Sequence, residues 1–180
     1  MHKKDMQIIS GMWPRWKKYT GDVNSICLLS PCDFEAGFLL HLFPDAKIVM
    51  MPVTHWDLNS KNDQTFDIVV ASGIFMYSKD PDLWFDNVFS SSRFLWMNDH
   101  ILAWRGADKE LADESMRYQF LPDHPARIAD AYDLNRVKDK IVEMKIYPYT
   151  KDEGNGSDKE AKTFVALLDR DLHGEGLVQT

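Results

Sequence analysis

The chain has 180 residues, 44% hydrophobic and 27% charged, with a net charge of −7 and a pI near 5.3. Such totals describe a single soluble globular domain with a core of ordinary size, and the acidic excess argues against broad contact with nucleic acid or an anionic membrane. Cys27 and Cys32 lack CxxC spacing, so neither a disulfide framework nor a zinc knuckle is expected, and no other cluster has metal-ligand spacing.

No signal pattern opens the chain and no apolar run is long enough to span a bilayer, so the expected compartment is a reducing cytoplasm. Residues 3–19 predict a helix, with Ile8, Ile9 and Met12 on one face, that Pro14 kinks or ends. Its basic residues with Trp13 and Trp16 either hold nucleic acid by charge and stacking or form a solvated face over the core, and the second reading is preferred. Thr20-Gly21-Asp22 is a turn.

Ser25–Leu29 reads as a buried strand and Phe34–Phe43 as a helix, with Asp33 as its cap. Lys47–Met51 is a second strand, ended by Pro52. Ile68–Ala71 is a short apolar run with almost no alternation, as expected of a strand buried on both faces of a parallel sheet. Ser72-Gly73 stops it, and Asp80-Pro81 opens a helix that runs to about Ser91. In such sheets ligands sit at the carboxyl ends of the strands, which directs attention to the loop Ser72–Ser78.

Arg93–Asn98 is the next strand, with Asp99 and His100 expected at its exit. Polar residues at about 109–118 and the stretch 126–140 read as helices, with 121–125 a loop between them. Strands follow at Ile141–Tyr147 and Lys162–Leu168, joined by a solvated hairpin loop at 151–160. The expected division is an N-terminal helical segment at 1–22, one domain at 23–171 and a flexible tail at 172–180.

At this point the chain resembles the class I S-adenosylmethionine-dependent methyltransferases, as a degenerate member. Asp57-Leu58-Asn59 leading to Phe66-Asp67-Ile68-Val69-Val70-Ala71 is similar to the family's acidic residue, short loop and following strand. Met76-Tyr77-Ser78-Lys79-Asp80-Pro81 is similar to its helix entry, and the closing hairpin to its reversed last strand. The resemblance implies an α/β fold: a three-layer Rossmann-like sheet, mostly parallel, with an antiparallel C-terminal β-hairpin, here reduced to about six strands.

It also implies S-adenosylmethionine as cofactor. Asp57 would accept from the adenine amino group, the backbone of Leu58 would meet the ring, and Ser72, Gly73, Ile74 and Phe75 would line the methionine end. Ser30 stands where the family places an acid. Tyr77 and Arg117 would meet the substrate, a small molecule or glycan, and Asp99 or His100 would act as base.

Each assignment has a plainer counterpart. Asp57 also reads as a surface cap, Tyr77 and Trp56 as core aromatics, His55 and His100 as polar loop residues, and Arg117 as the partner of Asp113 or Glu114 on a helix surface. The Gly-rich turn after the first strand is replaced by Ser30-Pro31-Cys32-Asp33-Phe34-Glu35, and one helix and strand of the usual sheet are missing between Met51 and Phe66. The competing reading is therefore a non-catalytic scaffold or protein-interaction module on the same fold.

Overall fold

Apolar runs bounded by turn residues become the strands of one sheet. A computed structural model describes residues 3–29, 33–51, 63–75, 81–102, 137–148 and 161–173. In chain order its elements are α1 (Lys3–Thr20), β1 (Ser25–Leu29), α2 (Asp33–Leu42), β2 (Lys47–Met51) and β3 (Phe66–Ser72). Then come α3 (Pro81–Ser91), β4 (Ser92–Leu102), β5 (Ile141–Pro148) and β6 (Ala161–Asp169).

The strand order is β2-β1-β3-β4-β6-β5. The first four strands run parallel, and β6 lies antiparallel between β4 and β5. The fold is thus α/β with a mostly parallel sheet and an antiparallel terminal hairpin. β3 sits inside, parallel to both neighbours, and its residues from Ile68 to Ala71 are at most 1% exposed. Burial on both faces explains why its sequence is a run and not an alternation.

Successive strand residues feed opposite layers. One layer joins Ile26, Leu28, Ile68, Val70 and Trp96 to Ile9, Met12 and Trp16 of α1 and Leu39 and Leu42 of α2. The other joins Cys27, Leu29, Val69, Ala71 and Met97 to Trp84, Phe85 and Val88 of α3. Each fully buried large apolar side chain contributes about 1.5–3 kcal/mol relative to exposure, so helices on both faces are what keep the sheet folded.

Four expectations change. Pro14 does not end the first helix, which runs on to Thr20. It closes at Gly21, whose φ of 69° suits a residue without Cβ and whose N–H donates to Lys17 O at 3.0 Å. Trp16 is no part of a solvated face: it is 1% exposed and packs edge-on against Trp96, while Trp13 meets Phe43 at 4.4 Å.

β4 is longer than Arg93–Asn98, because β6 pairs with it from Phe94↔Asp169 to Leu102↔Ala161. Asp99 and His100 therefore lie within a strand, not beyond one. The helix expected over 126–140 does not close as a helix: its described end is a turn at Val137 and a 3-10 segment, Lys138–Lys140. The elements expected at 109–118, 121–125 and 151–160 lie outside the described residues.

Candidate functional site

From β1 the chain crosses to β2 on one side, and it returns to form β3 on the other. The chain order therefore reverses between β1 and β3, and in sheets of this kind such a point, at the carboxyl ends of the strands, is where a ligand is received. Leu29, Ala71 and Met97 stand in register at that level, with Ser72 and Asn98 one step beyond.

Three buried polar side chains meet at this end. The Ser72 hydroxyl donates to Glu35 Oε1 at 2.7 Å, and Asn98 Nδ2 donates to Ser72 Oγ at 3.0 Å. Glu35, Ser72 and Asn98 are 3%, 9% and 4% exposed. A serine hydroxyl has one proton, spent here on Glu35, so Asn98 must present its amide nitrogen. Its Oδ1 is then left buried without a hydrogen-bond partner.

Gly73 N–H donates to Asn98 O at 2.8 Å, and the chain turns away there at φ 64°. Ile74 and Phe75 follow, each 1% exposed. Phe75 stacks among Trp84 and Phe85 with centroids about 5 Å away, so these two side chains are spent on the core beneath α3.

Asp99 is 2% exposed and faces Phe164 across the β4–β6 ladder, with His100 next along, opposite Thr163. The structure brings Ser72 and Gly73 together with Glu35 and Asn98. Ser30, Asp57, Leu58, Tyr77 and Arg117, as well as His55 and Trp56, lie outside the described residues.

In the sequence Glu35 stands out only as part of the segment that replaces the Gly-rich turn, and Asn98 only as the last residue of an expected strand. One signal was available: Asn98 interrupts the apolar stretch Phe94–Met97 at the level where Ser72 interrupts the neighbouring strand.

A cleft of about 400 Å³ opens at the opposite end, where β3 and β4 begin, lined by Thr20, Asp67, Ser90, Arg93 and Arg170 among others. Its arginines are engaged. Arg93 grips Asp169 through Nε at 3.1 Å and Nη2 at 3.0 Å, and Arg170 reaches Asp171 and Phe89 O. Asp67 is likewise taken by the Asn24 and Ser25 backbone N–H groups. This end is a structural seam.

Known folds can now be set beside this geometry. No protein-family pattern and no curated protein matches the chain. Among solved structures it is similar to coclaurine N-methyltransferase bound to N-methylheliamine and SAH, at 10% identity over 89% of this chain and 72% of that one, with a TM-score of 0.59. It is similar to the N-terminal domain of EvdMO1 in the presence of SAH and D-fucose, at 12% identity over 93% and 83%, TM-score 0.51. It is also similar to N-methyltransferase NodS from Bradyrhizobium japonicum WM9 in complex with S-adenosyl-L-homocysteine (SAH), at 14% identity over 92% and 87%, TM-score 0.50.

The fold is therefore a methyltransferase-type, Rossmann-like sheet. More particularly, its six-stranded sheet with the reversed β6 matches class I S-adenosylmethionine-dependent methyltransferases in architecture.

Neighbours of this fold are seen with SAH; the corresponding methyl donor, S-adenosylmethionine, carries an adenosine, a sulfonium and a tail bearing one ammonium and one carboxylate. The described acceptors, the Glu35 carboxylate and Asn98 Oδ1, fit the cationic groups. Among the described side chains no lysine or arginine stands at the carboxyl ends of β1, β3 and β4 to receive the carboxylate.

Proposed function

We propose that this chain binds an S-adenosylmethionine-type sulfonium nucleoside in the crevice between β1 and β3, and acts as a methyltransferase-like protein toward a small molecule or glycan. The observation that carries the reading is the acceptor-rich Glu35–Ser72–Asn98 array at the carboxyl ends of the strands, where a cationic nucleoside finds counter-charge. Architecture shared with methyltransferases seen with SAH supports it.

In this reading Asp57 and Leu58 hold the adenine, with Ser30 and the Ser72–Phe75 turn along the tail. Tyr77 and Arg117 meet the acceptor. Catalysis is mainly alignment of acceptor and methyl group, with Asp99 or His100 taking the proton. The cytoplasm is the proposed compartment.

The second reading is a non-catalytic scaffold or protein-interaction module. The Glu35–Ser72 bond favours it, because that bond ties α2 to β3 across the same crevice. Calorimetric titration with S-adenosylmethionine and S-adenosylhomocysteine separates the two. Binding that Asp57→Ala abolishes supports the nucleoside reading; no heat at millimolar ligand supports the scaffold.

A further inference from the structure

Resting on the nucleoside reading, we propose that Asn98 receives the ammonium of the ligand's tail, and that Ser72 is the positioning residue that turns the Asn98 amide oxygen to that role. Ser72↔Asn98 is the last pair of the β3–β4 ladder; β3 then turns away at Gly73, while β4 runs on to Leu102 beside β6. Asn98 thus stands at the step where the sheet narrows, one strand from the point of reversal. Its main chain is held on both sides. Gly73 N–H donates to Asn98 O at 2.8 Å, and Val165 of β6 lies in register opposite.

The amide has one sense open to it. Ser72 gives its single hydroxyl proton to Glu35 Oε1 at 2.7 Å, so toward Asn98 it can only accept, and it does so from Nδ2 at 3.0 Å. Glu35 enters only as the acceptor that settles the Ser72 proton. Asn98 Oδ1 is thereby turned from Ser72, is buried, and has no hydrogen-bond partner among the described residues. Buried acceptors are ordinarily met by a donor. Trp96, two residues back and so on the same face of β4, does not supply one, because its own indole N–H is buried without a partner.

The ligand's own chemistry says which donor fits. With the adenine toward Asp57 and the tail along the Ser72–Phe75 turn, the part of the ligand beside Asn98 is the tail. That tail has one donor, its ammonium; its carboxylate and its sulfur have none. A hydrogen bond from a charged donor is worth more than one between neutral groups, so the contact should register in affinity.

The test titrates the full chain calorimetrically with two probes: S-adenosylhomocysteine, and its desamino analogue, whose tail keeps the carboxylate and lacks the amine. Asn98→Leu, close in size and without an acceptor, should weaken S-adenosylhomocysteine roughly tenfold and the analogue less than about twofold. Ser72→Ala keeps the acceptor but frees the amide to rotate, and should show a smaller loss, again confined to the ligand that has the amine. A merely structural fault would weaken both probes alike. Equal loss on both, or loss on neither, overturns the proposal and leaves the nucleoside reading standing; with loss on neither, a buried water serves Oδ1. If S-adenosylhomocysteine gives no heat with the wild-type chain at millimolar concentration, both fall. Should circular dichroism show that Asn98→Leu does not fold, Ser72→Ala decides by the same comparison.

Discussion

Trp16 Nε1 donates to Glu143 Oε2 at 2.8 Å, joining an indole and a carboxylate that lie 127 residues apart in the chain. Arg15 Nε adds a bond to the same carboxylate at 3.1 Å. Toward the other end of α1, the Tyr147 hydroxyl donates to Asp5, and near its close Tyr19 donates to Asp169 at 2.9 Å. The first helix is thereby fastened along its length to the antiparallel hairpin.

Glu143→Ala should therefore cost about 2–3 kcal/mol in urea unfolding, since it strands a buried indole N–H as well as the guanidinium. Arg15→Ala should cost only about 0.5–1 kcal/mol, because its side chain is 55% exposed and water screens the pair. The reverse order would show that the ion pair, and not the indole bond, secures the helix.

Acid should loosen the far end of the sheet. Burial alone would raise the Asp169 carboxyl. Hydrogen bonds from Arg93, the Asp171 backbone N–H and Tyr19 outweigh it and hold the group below the ordinary carboxylate range. A group depressed in the folded state contributes stability that is full above its unfolded value and is lost as pH falls through its folded value. Unfolding free energy measured from neutral pH down past the carboxylate range should fall in the wild type, and Asp169→Asn should flatten that decline. An unchanged slope in the variant would remove Asp169 as the cause.

What the sequence shows about this fold is what neighbouring residues decide. Strands β1, β2 and β3 and helix α3 appear as local runs and caps, because burial on both faces or a Pro at a helix start leaves a local signature. The extension of β4 does not, since its last residues are held by β6, about sixty positions on. Trp16 looked like part of a basic surface because its partner Glu143 is equally remote. The site follows the same division: Ser72 and Gly73 were marked by the end of a strand, whereas the role of Glu35 depends on Ser72, 37 residues away, and on Asn98 beyond it.

Gly73 should be costly to replace for a backbone reason alone. No atom lies within 4 Å of where a Cβ would stand, but φ is +64°. Gly73→Ala should lose about 1–2 kcal/mol and Gly73→Asn distinctly less, because Asn tolerates the left-handed region better. Equal losses by thermal unfolding would point to a contact instead of the dihedral.

Cys27 should be inert while the protein is folded. It is 0% exposed, and burial pushes its thiol up to about 12, so the reactive thiolate is scarce. In a Cys32→Ser background, alkylation should follow global unfolding across a urea series. Labelling at native conditions at the rate of a free thiol would contradict the buried placement of β1.

The central claim, that a sulfonium nucleoside meets the protein between the carboxyl ends of β1 and β3, is tested most directly by following backbone amide resonances during titration with S-adenosylmethionine. The account predicts that the largest changes fall on Glu35, Ser72, Gly73 and Asn98. Changes centred on Arg93 and Arg170, at the other end of the sheet, or none at millimolar ligand, would contradict it.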